Sequence, residues 1–201
     1  MFSKYEVYPD VGSLYCYKDS HALRNRYSIR DFEKLKAAEQ DIVGAKQQYL
    51  LTHPIAGRFT VTHLRNIHRF LFEDIYPFAG HFRRETIEKG NTTFLNKKDI
   101  SFKLGQLLGK LKQEQYLSQL PYEAFLERLS YYLSELNYIH PFREGNGRST
   151  REFMRMLIER NGYTVNWTAA GVEPLMEAMI ESVYDSSIII PVLRECVKSK
   201  K

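Results

Sequence analysis

Two amphipathic stretches meet at a glycine-bearing bend, and this joint constrains the fold more than any other part of the chain. On one side Phe125, Leu129, Tyr132, Leu133 and Leu136 recur at steps of three and four, the apolar stripe of a helix opening near Pro121 and ending near Ile139. On the other, Phe153, Met154 and Leu157 continue a helix that starts at Gly147 or Arg148 and is stopped by Gly162. Between them His140 to Arg151 reads HPFREGNGRSTR. Whatever else the chain does, it must pack two helices around that loop.

The remainder is also helical in texture. Phe32, Leu35, Ala38, Ile42 and Tyr49 predict a helix from about Ser28, with Ser28 and Asp31 as its capping pair and THPIAGRF (52–59) as its end. A second helix is expected over Thr62–Ile75, burying Leu64, Ile67, Leu71 and Ile75, with Pro77 closing it. A third covers about Lys97–Tyr116, with Leu104, Leu107, Leu108 and Leu111 inward. From Val172 the pattern gives one or two short helices broken near Pro191. The first 27 residues read as an extended arm or short turns. Only Arg84–Asn96 looks like strand: β-branched flanks around Lys89-Gly90-Asn91 predict one short hairpin, marginal by itself and so in need of support or a partner. The expectation is a single all-α domain over 1–201 with a small β-hairpin, its core at about 15–190.

Composition narrows the class. At 201 residues the chain can bury a sizeable core. No stretch approaches the roughly 18 consecutive apolar residues of a membrane span, and MFSKYEVYPD lacks the plan of a secretory signal. Cys16 and Cys196 have no metal-type spacing and read as two ordinary thiols, so the cytoplasm is the expected location. The net charge of +5 admits nucleic-acid binding, but 24 acidic residues are interspersed and no basic run exceeds two before the KSKK tail. A mildly basic enzyme surface, with no direct nucleic-acid binding, is the better reading.

The loop between the two helices carries the chemistry. Gly145 and Gly147 tolerate backbone angles that expose consecutive N–H groups at a helix N-terminus, a ready anion site. Arg148 and Arg151, three apart, lie on neighbouring positions of one face and can reach the same phosphates. Two cations at the positive end of a helix oppose its dipole unless an anion sits between them. His140 is placed to act as a base near neutral pH, Glu144 offers a hard oxygen to a magnesium ion carried by a nucleotide, and Asn146 could give its amide to a phosphate oxygen. Phe142 is expected to point into the core and anchor the loop. No GxxxxGK[ST] occurs.

This stretch resembles the Fic family signature, His-x-Phe-x-(Asp/Glu)-Gly-Asn-Gly-Arg-x-x-Arg, at every specified position. The likeness extends to LRNRYSI (23–29), IHRFLFEDIYPFAG (67–80), the IEKGNTTF hairpin and LSELNYI (133–139). Membership implies an all-α Fic fold with a hairpin flap, and transfer of AMP from ATP, with Mg2+, to a Ser, Thr or Tyr hydroxyl of a target protein. It implies His140 as base, Glu144 as the magnesium residue, Gly145, Asn146 and Gly147 as the anion hole, and Arg148 and Arg151 as the cations for the outer phosphates. The flap, with Ile87, Lys89, Gly90, Thr92 and Phe94, would dock the target by strand addition. Tyr184 is the candidate for the adenine pocket, from its position in the chain. The related Doc toxins, which transfer a phosphate, lack the full Gly-Asn-Gly-Arg run, so AMP transfer is favoured.

Many Fic proteins also carry an inhibitory Ser/Thr-x-x-x-Glu-Gly/Asn helix, whose glutamate pairs with the second motif arginine. This chain has no such string; the nearest, SHALRN (20–25), places Arg24 where the glutamate belongs. Either Arg151 is uninhibited or a separate small antitoxin supplies that glutamate; the length and layout look most like the toxin members that need such an antitoxin, and the resemblance makes type II topoisomerases a candidate target class. The competing readings are the catalytic domain of a secreted, host-directed effector and a non-catalytic nucleotide-binding module; intact His140, Glu144, Arg148 and Arg151 argue against the latter. His63 and His68, five apart, do not share a helix face as metal ligands do, and packing or solvent roles are expected for them.

Overall fold

A computed structural model describes residues 13–89 and 92–200. Seven α-helices dominate these residues, joined by two small antiparallel sheets. Helix α1 spans Phe32–Thr52 and α2 Val61–Phe72; the hairpin strands β1 and β2 are Glu88–Lys89 and Thr92–Thr93. Then come α3 (Ile100–Gln113), α4 (Tyr122–Ile139), α5 (Asn146–Arg160), β3 (Tyr163–Val165), α6 (Val172–Glu181), α7 (Ile190–Cys196) and β4 (Val197–Ser199). No helix among the described residues is long and apolar enough to cross a membrane.

Helix α5 is the centre of the molecule, packed between α2, α4 and β3. It buries Phe153, Met154, Leu157 and Ile158, each fully enclosed side chain contributing about 1.5–3 kcal/mol. It also buries charge. Arg155 gives its guanidinium to both oxygens of Glu152 (2.8 and 2.6 Å), to Glu159 (2.7 Å) and to the Leu50 carbonyl at the end of α1 (3.0 Å). One side chain thereby satisfies an orphan carbonyl of α1 and locks that helix against the centre.

Helix starts follow local chemistry. Asp31 accepts from the Lys34 N–H and Thr60 from the His63 N–H, so α1 and α2 each begin behind a side-chain cap. Ser28 is not part of the cap; it sits in the left-handed region (φ 56°) in the turn before. The stripe of α1 is displaced from the expected one. Leu35, Glu39, Val43 and Leu50 face inward, whereas Tyr49 is 51% exposed and stacks on His53 and Phe70 at the surface. A carboxylate at the second inward position hid the stripe, and its reason lies in the site. Helix α2 ends at Phe72, three residues short of expectation, and Ile75 is buried from the following turn. Beyond α3, Gln115, Tyr116 and Leu117 turn with positive φ rather than extending the helix.

The flap hairpin pairs Glu88 with Thr93 and Lys89 with Thr92; residues Gly90 and Asn91 at its tip lie outside those described. It is not the only strand pair. Tyr163, Thr164 and Val165 pair with Ser199, Lys198 and Val197, a sheet the sequence did not announce because three-residue strands far apart carry no alternation. Tyr122 of α4 donates to the Val197 carbonyl (2.8 Å), fixing this clasp to the start of the helix that leads to the site. Pro191 opens α7 instead of breaking a helix, the position where its missing N–H costs nothing.

Candidate active site

His140 closes α4 with φ 45° and ψ 60°, a left-handed conformation unusual for a residue with a side chain. Its Nδ1 lies 3.2 Å from the Asn137 carbonyl. A carbonyl only accepts, so Nδ1 carries a proton, and in the neutral ring Nε2 is the nitrogen without one. The imidazole lies face to face with Phe94, with centroids 3.8 Å apart and planes 18° from parallel.

From His140 the chain makes a loop closed by its own residues. The Asn146 side chain accepts from the Phe142 N–H and donates to the Phe142 carbonyl, both at 2.8 Å. The Asn146 amide, expected to reach a phosphate, instead closes the loop from inside, at 5% exposure. Phe142 is 1% exposed and stacks on His68, so it anchors the loop in the core. Gly145 adopts φ 79°, and a Cβ there would lie 2.2 Å from the Phe72 ring. Only glycine fits, because backbone angle and packing both exclude a side chain.

The first N–H groups of α5 have no intrahelical acceptors and point out of the helix end beside Arg148 and Arg151. The two arginines are in different electrostatic states. Arg148 meets Glu39 at 2.5 Å and Glu144 at 3.3 Å, with its guanidinium over the Phe72 ring. Burial would lower its pKa, but the two carboxylates hold it above its ordinary value. Arg151 has no ion pair among the described residues; burial, and then the like charge of Arg148, bring it down to about 10. The fold thus holds one neutralised cation and one uncompensated cation at a helix N-terminus, an arrangement that calls for an anion.

Glu144 receives the Gly145 N–H at 2.8 Å as well as Arg148, and its side chain is 35% exposed. A hard, accessible oxygen suits a metal that arrives with a nucleotide. No group of three or more His, Cys, Asp or Glu able to hold a metal by itself occurs among the described residues.

Several supporting residues had no sequence signal. Glu39 lies 109 positions from its partner Arg148 and also accepts from the Tyr76 hydroxyl. His68 is fully buried: its Nδ1 accepts from the Gly80 N–H (2.8 Å) and its Nε2 donates to the Glu144 carbonyl (2.9 Å). Burial brings its pKa down to about 4, so it is neutral. It packs, as expected, and it also holds the loop. His63 is likewise internal, bonded to the Phe59 N–H and the Ile55 carbonyl.

At the flap, Ile87 and Phe94 are buried, at 8% and 7% exposure, so their side chains support the hairpin from beneath. Lys89 and Thr92 contribute paired backbone at its edge, and Gly90 lies outside the described residues. Glu85 at the flap's root pairs with Arg143 (2.6 Å) and receives the Ser13 hydroxyl (2.6 Å). Tyr184 follows α6 and is 73% exposed.

Residues 58–158 match the model of the Fic/DOC family. The chain belongs to that family. Among its Fic relatives, the protein adenylyltransferase VbhT of Bartonella schoenbuchensis is 34% identical over 92% of this chain, which spans only 37% of VbhT. The probable protein adenylyltransferase Fic of Salmonella typhimurium is 33% identical over 82% of this chain and 81% of its own length. Among solved Fic structures, the VirB-translocated effector BepC of Bartonella tribocorum, with bound AMPPNP, superposes with a TM-score of 0.84 at 26% identity, covering 93% of this chain and 97% of that one.

Proposed function

We propose that the chain is a protein adenylyltransferase that moves AMP from ATP to a Ser, Thr or Tyr hydroxyl of a target protein. The observation that carries this reading is His140, its Nδ1 held on the Asn137 carbonyl, set beside a helix N-terminus bearing an uncompensated arginine. The hydroxyl oxygen would attack the α-phosphorus and lose its proton to His140 Nε2. The bond from the α-phosphorus to the bridging oxygen would break, releasing pyrophosphate. The main-chain N–H groups of Asn146 and Gly147 would donate to the phosphate oxygens, joined by that of Gly145 once Glu144, which accepts from it in this structure, turns to the metal; Arg148 and Arg151 would hold the outer phosphates. Mg2+ carried by the triphosphate would be held by Glu144 and would offset its negative charge. The adenylyltransferase names of the relatives and the AMPPNP bound to BepC support ATP as the donor.

A finer proposal concerns control and target. Arg151 has no carboxylate partner among the described residues and the chain lacks the inhibitory glutamate string, which supports an off-switch supplied by a separate small antitoxin acting at Arg151. In that setting the enzyme is a cytoplasmic toxin, its target a protein docked along the flap, with type II topoisomerases the class to try first. The translocated-effector title of BepC favours a second reading, a catalytic domain delivered into a host cell.

The test is incubation of the chain with ATP labelled at the α-phosphate and bacterial or host lysates. A labelled protein band lost with His140→Ala is expected. Tight AMPPNP binding without any label in either lysate would refute the transfer reading, and label in host lysate alone would favour the effector.

A further inference from the structure

We propose that Arg83 is a positioning residue for this transfer, a single guanidinium that fastens His140 and both roots of the flap into one rigid unit; the proposal rests on the adenylyl-transfer reading above. Arg83 is 2% exposed and forms no ion pair among the described residues. Instead its Nε donates to the His140 carbonyl (2.7 Å) and its Nη1 to the Glu85 carbonyl (2.8 Å). Its Nη2 donates to the Leu95 carbonyl and, at 3.4 Å, to that of Ile139. Its main-chain N–H reaches Pro141 (2.9 Å), and next to it the Leu95 N–H bonds the Tyr138 carbonyl (3.1 Å).

The choice of residue is informative. Enclosing a cation without a carboxylate is costly, and here the guanidinium is matched to enclosed carbonyls that an apolar side chain would leave without a donor. What the site requires is a planar fork able to address carbonyls in three directions at once, which a lysine point charge cannot do. Those carbonyls are not arbitrary. Glu85 precedes β1 and Leu95 follows β2, so together they are the two legs of the flap. Ile139 and His140 are the last turn of α4, where His140 holds φ 45°. A left-handed residue with a side chain persists where its surroundings over-determine it. Here the pinned carbonyl fixes the peptide plane after His140, and with it the direction of the Cα–Cβ bond. The Asn137 carbonyl and the Phe94 face then set the ring. A peptide laid along the flap would meet the base in a register set by Arg83.

The experiment compares wild type, Arg83→Lys, Arg83→Ala and His140→Ala. Three quantities are read: initial rate of label transfer from ATP to lysate protein, AMPPNP affinity, and the NMR signals of the His140 ring. In Arg83→Lys the rate should fall about 100-fold, the loss expected for a misplacement of about 1 Å, with AMPPNP affinity kept within about twofold. The His140 ring signals should shift and broaden. Millimolar guanidinium should restore at least about tenfold of the rate lost in Arg83→Ala and none of that lost in His140→Ala. A rate within about threefold of wild type, or rate and AMPPNP affinity falling together, would overturn the proposal. So would failure of both Arg83 variants to fold, which would make the residue structural only. Should wild type bind AMPPNP yet transfer nothing, the transfer reading is lost; unchanged His140 signals in Arg83→Lys would separately dispose of the role given to Arg83.

Discussion

The carboxylate of Glu39, on the first helix, holds the guanidinium of Arg148, on the fifth, at a distance of 2.5 Å. The pair is largely enclosed, with side chains 12% and 21% exposed, and the Tyr76 hydroxyl completes the acceptor. Removing one partner from such a pair leaves the other charge poorly solvated, at a cost of about 3 kcal/mol. Glu39→Gln should therefore lower stability by roughly that amount. Its thermal stabilisation by AMPPNP should exceed that of wild type, because bound phosphate replaces the missing charge. Thermal melts with and without nucleotide check this; equal nucleotide shifts in the two proteins would count against the idea.

Arg151 should behave in the opposite way. The fold gains nothing from its charge, which burial and Arg148 both disfavour. Arg151→Gln is expected to leave the ligand-free melting temperature unchanged or higher, while AMPPNP affinity falls about 100-fold, the scale of losing one preorganised anion contact. Calorimetric titration beside a melt separates the two effects.

His140→Ala should reduce AMP transfer by about 10² to 10⁴, the usual worth of a general base, with AMPPNP affinity little changed. Single-turnover transfer measured at saturating ATP isolates that loss from binding.

Gly145→Ala combines a positive φ with a Cβ placed 2.2 Å from the Phe72 ring. Backbone strain of about 1–2 kcal/mol adds to overpacking of about 1–3 kcal/mol. Chemical denaturation should show a loss of roughly 2–5 kcal/mol. Phe72→Leu in the same chain should recover the packing share and leave the backbone share.

Acid should loosen the loop through His68. Its pKa is about 4 in the fold against an ordinary 6.5. Between those values the unfolded chain binds the proton and the native protein does not, so stability falls as the pH drops from 6.5 toward 4 and is retained in full above that window. At 1.36 kcal/mol per unit the contribution is about 3 kcal/mol. His63, also lowered by burial, acts in the same direction. Denaturation midpoints measured from pH 7 to 4 should decline less steeply in His68→Gln, which begins less stable at neutral pH.

What the sequence made legible was whatever repeats or sits close together. The α4–loop–α5 joint could be read because Phe125 to Leu136 keep helical spacing and the loop's residues are contiguous. Glu39 was invisible because its partner is 109 positions away and a carboxylate in an apolar stripe reads as surface. Arg83 was hidden for a related reason: its partners are backbone carbonyls, which leave no trace in residue identity. The same holds for His68, which looks like any buried histidine until the Glu144 carbonyl is found beside it. The Asn146 amide was assigned outward because composition shows what a side chain can donate, not that Phe142 already receives it.

The clasp of β3 with β4 sets an order of events. Tyr163 waits for Ser199, and Tyr122 for the Val197 carbonyl. While the chain is still emerging from the ribosome, His140, Gly145, Arg148 and Arg151 are all made before the strand that secures the far ends of the helices presenting them. A nascent chain therefore holds these four residues some dozens of positions before the strand that fastens the helices presenting them.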